Sequence, residues 1–193
     1  QLSNLGSVHF LTGRYDEAAS TFDRALALSR ADPTASWAPG RRAVVIANQA
    51  ALAQRLGRYA EALSLYRSLM AEAASLPPGQ RGQVLVNQGA LYRRLGDPYK
   101  ALDAYASARA QFTEAHDTGS EAAVLTNRGI ALALDLARLS DAAAALGEAL
   151  SVATIAGNRR EALLARLYRG EVLLRDGRVA DARVDFVAAS AAA

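Results

Sequence analysis

A helix, a tight glycine turn and a second helix recur along this chain at steps of about 40 residues. The clearest copy has Asn87–Leu95, the turn residue Gly96, and then Ala101–Ala108. Counting from the turn residue, an alanine lies five positions on and an aromatic residue lies nine positions on, as in Gly13, Ala18, Phe22; Gly57, Ala62, Tyr66; Gly96, Ala101, Tyr105; and Gly177, Ala182, Phe186. A weaker copy has Ala137 as the turn residue, then Ala142 and Leu146. Such a period is typical of a stacked array in which each unit packs mainly on its neighbours.

The segment Asn4–Leu26 resembles the tetratricopeptide repeat, which packs a small residue of its first helix against alanine and an aromatic residue of its second. The resemblance covers essentially all 193 residues. Steps near 40 exceed the family's usual period of about 34 and are similar to kinesin-light-chain repeats and to arrays beside bacterial signalling modules. The resemblance implies an all-α, right-handed superhelical solenoid of about five antiparallel helix pairs.

We therefore expect one repeat array over residues 1–193, in units of roughly 1–30, 41–75, 80–116, 119–156 and 159–193. Proline and glycine predict breaks at 31–40 and at 76–79. We expect Trp37, in the first break, either to pack the linker onto neighbouring helices or to be an exposed contact residue. Between the breaks, the pattern predicts ten helices: one ending near Gly13, then 16–29, 44–56, 60–75, 83–95, 99–116, 122–136, 141–156, 161–176 and 180–189.

The two ends of the chain lack the polar caps that a repeat array needs. We expect a fragment of a longer protein, whose uncapped terminal repeats could also self-associate. Neither a signal peptide nor an apolar run of roughly 18 residues is present. We therefore expect a cytoplasmic protein without a membrane partner.

Motifs of enzymes and metal sites are missing from the sequence. It contains no cysteine, its two histidines, His9 and His116, lie in different units, and it has no phosphate-binding loop or nucleophile motif. We predict a non-enzyme with no metal and no cofactor. Lys100 is the only lysine among 22 basic residues. The arginines alternate with acids instead of forming a basic block, which disfavours a nucleic acid partner.

The resemblance implies that the first helices of the pairs line a concave groove, where solenoids commonly bind. The expected groove residues are Ser3, Ser7, Phe10 and Leu11; Val44, Ala47, Ala51, Gln54 and Arg55; Gln83, Val86, Ala90, Arg93 and Arg94; Ala123, Thr126, Ile130 and Ala133; and Leu164, Leu167, Glu171 and Arg175. The small ones leave room for a ligand backbone. Arg55, Arg93 and Arg94 favour an acidic partner; the alternative is that local acids hold these arginines. Ser3 and Ser7 differ from the lysine and asparagine of members that clamp chaperone tails, which argues against that function.

Four asparagines, Asn4, Asn48, Asn87 and Asn127, occupy one equivalent position in four units. A carboxamide both donates and accepts hydrogen bonds, so it can pair with a peptide main chain without reading its sequence. We expect Asn48, Asn87 and Asn127 either to bind an extended peptide or to tie adjacent helices together.

Three functions are consistent with these features. We favour a protein-interaction module that holds a peptide or protein partner in the groove. The second is a sensor or regulatory segment of a larger bacterial signalling protein, whose chemistry lies in a caspase-like protease, an NTPase or a DNA-binding domain. The third is RNA binding through the arginines, which predicts a steep dependence on salt.

Overall fold

The computed structural model describes residues 2–31, 38–71 and 76–191. Within these ranges the chain forms ten α-helices and no β-strand, which confirms the all-α prediction. The helices are α1 (Leu2–Leu11), α2 (Tyr15–Ala31), α3 (Ala38–Arg55), α4 (Tyr59–Ala71), α5 (Pro78–Arg94), α6 (Pro98–Glu114), α7 (Thr118–Leu134), α8 (Leu139–Ile155), α9 (Arg159–Arg175) and α10 (Val179–Ser190).

The chain divides into two compact units, residues 1–91 and 92–193, and the boundary lies near the end of α5. In the first unit α1 packs on α2, α2 on α3 and α3 on α4. In the second unit each helix from α6 to α10 packs on the next. In addition α1 contacts α3, and α7 contacts α9. The first helices of neighbouring pairs therefore lie side by side within each unit.

Close helix approach within a pair explains the small residue of the first helix. A Cβ atom on Gly129 of α7 would lie 2.5 Å from Leu146 of α8, and one on Gly6 of α1 would lie 2.4 Å from Phe22 of α2. Non-bonded Cβ atoms essentially never come this close to another atom, so an alanine at either position would have to displace the facing side chain. The predicted alanines Ala18, Ala62, Ala101, Ala142 and Ala182 are all buried. The pattern of small and large residues is therefore the packing pattern of the fold.

The turn residues adopt the left-handed conformation that ends many helices. Gly13, Gly57, Gly96 and Gly177 have φ between +76° and +79°, a region that glycine enters without steric cost. In the fourth pair Ala137 takes this place with φ +53°. That turn holds one more residue than the others: the amide of Arg138 bonds the carbonyl of Leu132, whereas the amide of Arg58 bonds that of Ala53.

Two helices begin earlier in the chain than expected. The helix α3 begins at Ala38 instead of Val44, and α5 begins at Pro78 instead of Gln83. Proline is compatible with the first turn of a helix, because its missing N–H group has no partner there in any case. The predictions for residues 32–37, including Trp37, and for residues 72–75 lie outside the described residues.

Candidate functional site

The first helices of the second and third pairs enclose a pocket in the first unit. Its volume is about 220 Å³. The lining residues lie on α3 and α5, with one in the segment before α5: Ala43, Val44, Ala47, Asn48, Ala51, Leu76, Gln80, Gln83, Val84 and Asn87. Among these, Val44, Ala47, Asn48, Ala51, Gln83 and Asn87 were expected from the sequence. Helical periodicity accounts for both walls, since residues four apart share one face of a helix.

The sequence prediction missed Leu76 and Gln80 because the run Leu76–Gly79 reads as a linker. In the structure Leu76 is buried, and α5 starts early enough to carry Gln80. Pro78 at the helix start is the signal that could have placed Gln80 on a helix. Ala43 and Val84 were missed for a different reason: both are buried beneath the surface that the groove prediction considered.

Asn48 ties two first helices together. Its side-chain amide donates to the hydroxyl of Ser7 at 3.2 Å and to that of Ser3 at 3.4 Å, both on α1. Ser7 in turn donates to the carbonyl of Ser3 at 3.0 Å. Asn48 therefore ties α3 to α1, which is the second of the two functions that we expected of the asparagines from the sequence.

Asn87 occupies the position on α5 that Asn48 occupies on α3. Its neighbours on α3, however, differ from the neighbours of Asn48 on α1. The positions of Ser3 and Ser7 are taken by Ala47 and Ala51, which line the same pocket and have no side-chain hydrogen-bonding group. Among the described residues, the side-chain bond assigned to Asn87 is an exposed one, accepted from Gln83 at 3.2 Å on the same helix. The exchange of two serines for two alanines therefore opens the pocket and leaves the amide group of Asn87 available.

Asn127 lies half-buried on α7 in the second unit and is not part of the pocket of the first. Thr126 beside it is buried, and its hydroxyl donates to the carbonyl of Ala122 at 3.1 Å. The hydroxyl hydrogen of Thr126 is therefore used within α7, and burial keeps the side chain from a ligand on the surface. Ile130 is half-buried on the same helix.

The remaining expected groove residues are spread over several degrees of exposure. Half-buried are Ser3, Ser7, Phe10, Ala47, Ala51, Gln54, Val86, Ala90, Arg93, Ala123 and Leu164; exposed are Leu11, Val44, Arg55, Gln83, Arg94, Leu167, Glu171 and Arg175; Ala133 is buried. Most of them are therefore at least partly exposed to solvent.

Two of the three arginines expected at the rim have partners within the chain. The Nε atom of Arg55 donates to the hydroxyl of Tyr15 at 3.1 Å, and this bond raises the pKa of Arg55. Arg93 makes a two-point ion pair with Asp135, which raises the pKa of Arg93. Arg94 is exposed. Local groups thus hold Arg55 and Arg93.

A charged pocket of about 420 Å³ lies in the second unit, between α8, α9 and α10. Arg169 there donates to both carboxylate oxygens of Asp185, at 2.7 and 2.6 Å, and Arg178 pairs with Asp181 at 2.6 Å. Its charges neutralise one another, in contrast to the carboxamides around the α3–α5 pocket.

Residues 2–31, 38–71 and 76–191 contain no group of three or more His, Cys, Asp or Glu side chains that could hold a metal ion. Within the same ranges, no helix combines the length and the apolar character that crossing a membrane requires.

Several solved structures have a similar fold. BtubC (BKLC) from P. vanneervenii is 19% identical with a TM-score of 0.85, and the match covers 100% of this chain and 78% of that one. A Podosopora anserina protein assigned as a kinesin light chain, with nearly identical TPR-like repeats, is 16% identical with a TM-score of 0.78, over 99% and 92% of the two chains. The Rap conjugation gene regulator of plasmid pLS20, solved in complex with the Phr* peptide, is 19% identical with a TM-score of 0.62, over 78% and 42%.

No curated protein matches the sequence. The tetratricopeptide repeat family matches residues 2–71 and 80–155, and a second description of the same repeat matches residues 130–193. These matches span nearly the whole chain and agree with the repeat that the glycine and aromatic positions predicted. The chain belongs to the tetratricopeptide repeat family.

Proposed function

We propose that this chain is a non-catalytic protein-interaction module, which binds a peptide or an extended protein segment on the face formed by its first helices. The observation that carries the proposal is the α3–α5 pocket, where the carboxamide of Asn87 lies beside Ala47 and Ala51. Small side chains admit a ligand main chain, and a carboxamide can pair with both its N–H and its C=O groups. The Phr* peptide bound to the Rap regulator supports the proposal by analogy of fold.

The experiment that tests this proposal selects peptides from a random display library on the purified chain. Affinities of the enriched peptides are then measured for the wild type, for Asn87→Ala and for Ala47→Trp, which fills the pocket. Ala110→Trp is the matched control, since Ala110 is exposed on α6. We expect both pocket variants to weaken binding and the control to bind as the wild type. Selected peptides that bind all four proteins equally would contradict the proposal.

A second proposal is that the chain is a sensor or regulatory segment of a larger signalling protein, with its chemistry in another domain. The likeness to the Rap conjugation gene regulator, of which this chain covers 42%, favours it. Sequencing the complete gene tests this proposal: a flanking protease, NTPase or DNA-binding domain supports it, and a gene that encodes repeats alone contradicts it. The two proposals are compatible, because a peptide-binding segment can regulate a neighbouring domain.

Self-association rests on one observation. Phe186 of α10 is 38% exposed, whereas the equivalent Phe22, Tyr66, Tyr105 and Leu146 are at most 2% exposed. Among the described residues no helix covers that face of α10. Sedimentation of the chain and of Val187→Asp, an exposed position on the same helix, tests the idea. Concentration-dependent association that Val187→Asp abolishes would support it, and a monomer at all concentrations would contradict it.

A further inference from the structure

The lining of the α3–α5 pocket has an unusual chemical composition. Its described residues comprise six apolar side chains and four carboxamides, Asn48, Gln80, Gln83 and Asn87, and no charged side chain. The carboxamides lie on both helices, with Asn48 on α3 and the other three on α5. The pocket therefore combines an apolar floor with neutral groups that donate and accept hydrogen bonds.

The volume limits what can enter. Sites for whole small molecules measure about 300–1,000 Å³, and this pocket measures about 220 Å³. It is therefore smaller than a typical small-molecule site, and we expect it to admit a single side chain. Ala43, Ala47 and Ala51 lie four residues apart on α3 and leave the space, while Leu76 and Val84 close it with branched apolar groups.

A charged side chain fits this pocket poorly. Removing a charge from water without a partner costs several kcal/mol in apolar surroundings. The nearby Arg55 does not line the pocket and already bonds Tyr15. Among the described lining residues an acidic anchor would meet no cation, so the expectation of an acidic partner is not supported at this pocket.

The carboxamides suit the main chain on either side of the anchor. Gln83 and Asn87 bond each other in an exposed geometry at 3.2 Å. A peptide can replace that bond at little net cost, because an exposed hydrogen bond exchanges freely with solvent. The amide group of Asn87 can then donate to a main-chain carbonyl of the peptide. Gln80 and Gln83 can bond the main-chain groups of the next peptide residue.

We propose that the α3–α5 pocket takes one aliphatic side chain from an uncharged, extended segment, whose main chain the surrounding carboxamides bind. The inference rests on the proposed function and goes beyond it by naming the chemistry of the ligand. It assigns the pocket to leucine, isoleucine, valine or methionine rather than to an acidic residue.

The test uses three blocked pentapeptides with glycine at the outer positions and leucine, alanine or aspartate in the centre. Binding to the 193-residue chain is followed by the NMR signals of the side-chain NH₂ groups of Asn48, Gln80, Gln83 and Asn87. We expect the leucine peptide to shift these signals saturably and to bind roughly tenfold to fiftyfold more tightly than the alanine peptide, from the apolar area buried. We expect no saturable shift with the aspartate peptide.

Two variants and two controls locate the binding. Ala47→Leu fills the pocket, and Ala51→Ser gives Asn87 the hydroxyl partner that Asn48 finds in Ser7. We expect both to weaken the leucine peptide at least fivefold. The controls are Ala110→Leu, on an exposed face of α6, and Asn127→Ala, an equivalent asparagine in the second unit. We expect both controls to bind as the wild type. Melting curves check that each variant is folded. If Ala47→Leu does not fold, Ala51→Ser, which is the smaller change, provides the test alone.

Several results would overturn the inference: no saturable shift with the leucine peptide, equal binding of the aspartate peptide, or binding unaffected by Ala51→Ser. Its failure is distinguishable from failure of the proposed function. Library-selected peptides that depend on Asn87 but carry an acidic anchor would contradict this inference alone. Selected peptides that ignore every substitution on the α3 and α5 faces would contradict both.

Discussion

The side-chain amide of Asn48 donates to the hydroxyl of Ser7 at 3.2 Å and thereby joins α3 to α1. The equivalent position one repeat later places Asn87 beside Ala51, whose side chain cannot accept a hydrogen bond. Two asparagines that are equivalent in sequence therefore have different hydrogen-bond partners. Both line the α3–α5 pocket, but the amide of Asn48 also bonds the preceding helix α1.

Overpacking should be costly where α7 and α8 approach each other. Ala142 is fully buried in a cluster with Leu132 and Leu146. Replacing Ala142 by leucine should lower the free energy of unfolding by roughly 1–3 kcal/mol, because the added methyl groups force neighbours from their rotamers. Urea denaturation measures it. The control, Ala144→Leu, lies on the exposed face of α8 and should change stability little. Equal effects of the two would show that the assigned helix contact is wrong.

The ion pair of Arg169 with Asp185 contributes to the packing of the last pair. Asp185 is 2% exposed and accepts two hydrogen bonds from Arg169. Asp185→Ala should cost roughly 3 kcal/mol, at the lower end for a buried pair because Arg169 is partly exposed. Asp181→Ala breaks the exposed pair with Arg178 and should cost under about 1 kcal/mol. Thermal melts of both variants check this, and similar losses would argue against a special role for Asp185.

The turn of the fourth pair should be improved by glycine. Ala137 has φ +53°, where its Cβ atom crowds the backbone. Ala137→Gly should raise the free energy of unfolding by about 1 kcal/mol. The reverse change at Gly96, which has φ +76°, should lower it by a similar amount. A destabilised Ala137→Gly variant in chemical denaturation would mean that the left-handed residue is not strained.

Tyr66 should make stability depend on pH at the alkaline end. Its hydroxyl is buried without a partner among the described residues, and burial raises its pKa to about 12. The unfolded tyrosine ionises near pH 10, so the folded state binds its proton more tightly. The free energy of unfolding therefore does not depend on Tyr66 ionisation below about pH 10, and it falls as the pH rises from there towards 12.

Tyr66→Phe removes both the unpaired hydroxyl and this pH dependence. We expect it to be stabilised by about 1 kcal/mol near pH 7, because the cost of the buried hydroxyl disappears. Tyr105→Phe is the matched control, since the Tyr105 hydroxyl interacts with Arg93 and its loss should not stabilise the protein. Melting curves at pH 7 and pH 10.5 compare the variants. A less stable Tyr66→Phe would indicate that the hydroxyl has a partner.

The fold could be predicted because one contact recurs between the helices of a pair, as between Gly6 and Phe22, Gly129 and Leu146, and Gly170 and Phe186. The pocket could be predicted only in part. Its α3 wall follows from helical spacing, but Leu76 and Gln80 required knowing that α5 begins at Pro78. The different hydrogen-bond partners of Asn48 and Asn87 could not be predicted from the repeat position that they share. They depend on whether the helix before them, α1 or α3, carries serine or alanine at the facing positions.

The most direct test of this account compares Asn87→Ala with Asn48→Ala. Each variant is measured for its melting midpoint and for its affinity for a library-selected peptide. Asn87→Ala should keep the wild-type midpoint and lose roughly 1–3 kcal/mol of binding, which is about 5- to 150-fold in affinity. Asn48→Ala should lose about 1 kcal/mol of stability, because the bond to Ser7 is lost. An Asn87→Ala variant that melts early but binds the peptide normally would contradict the account.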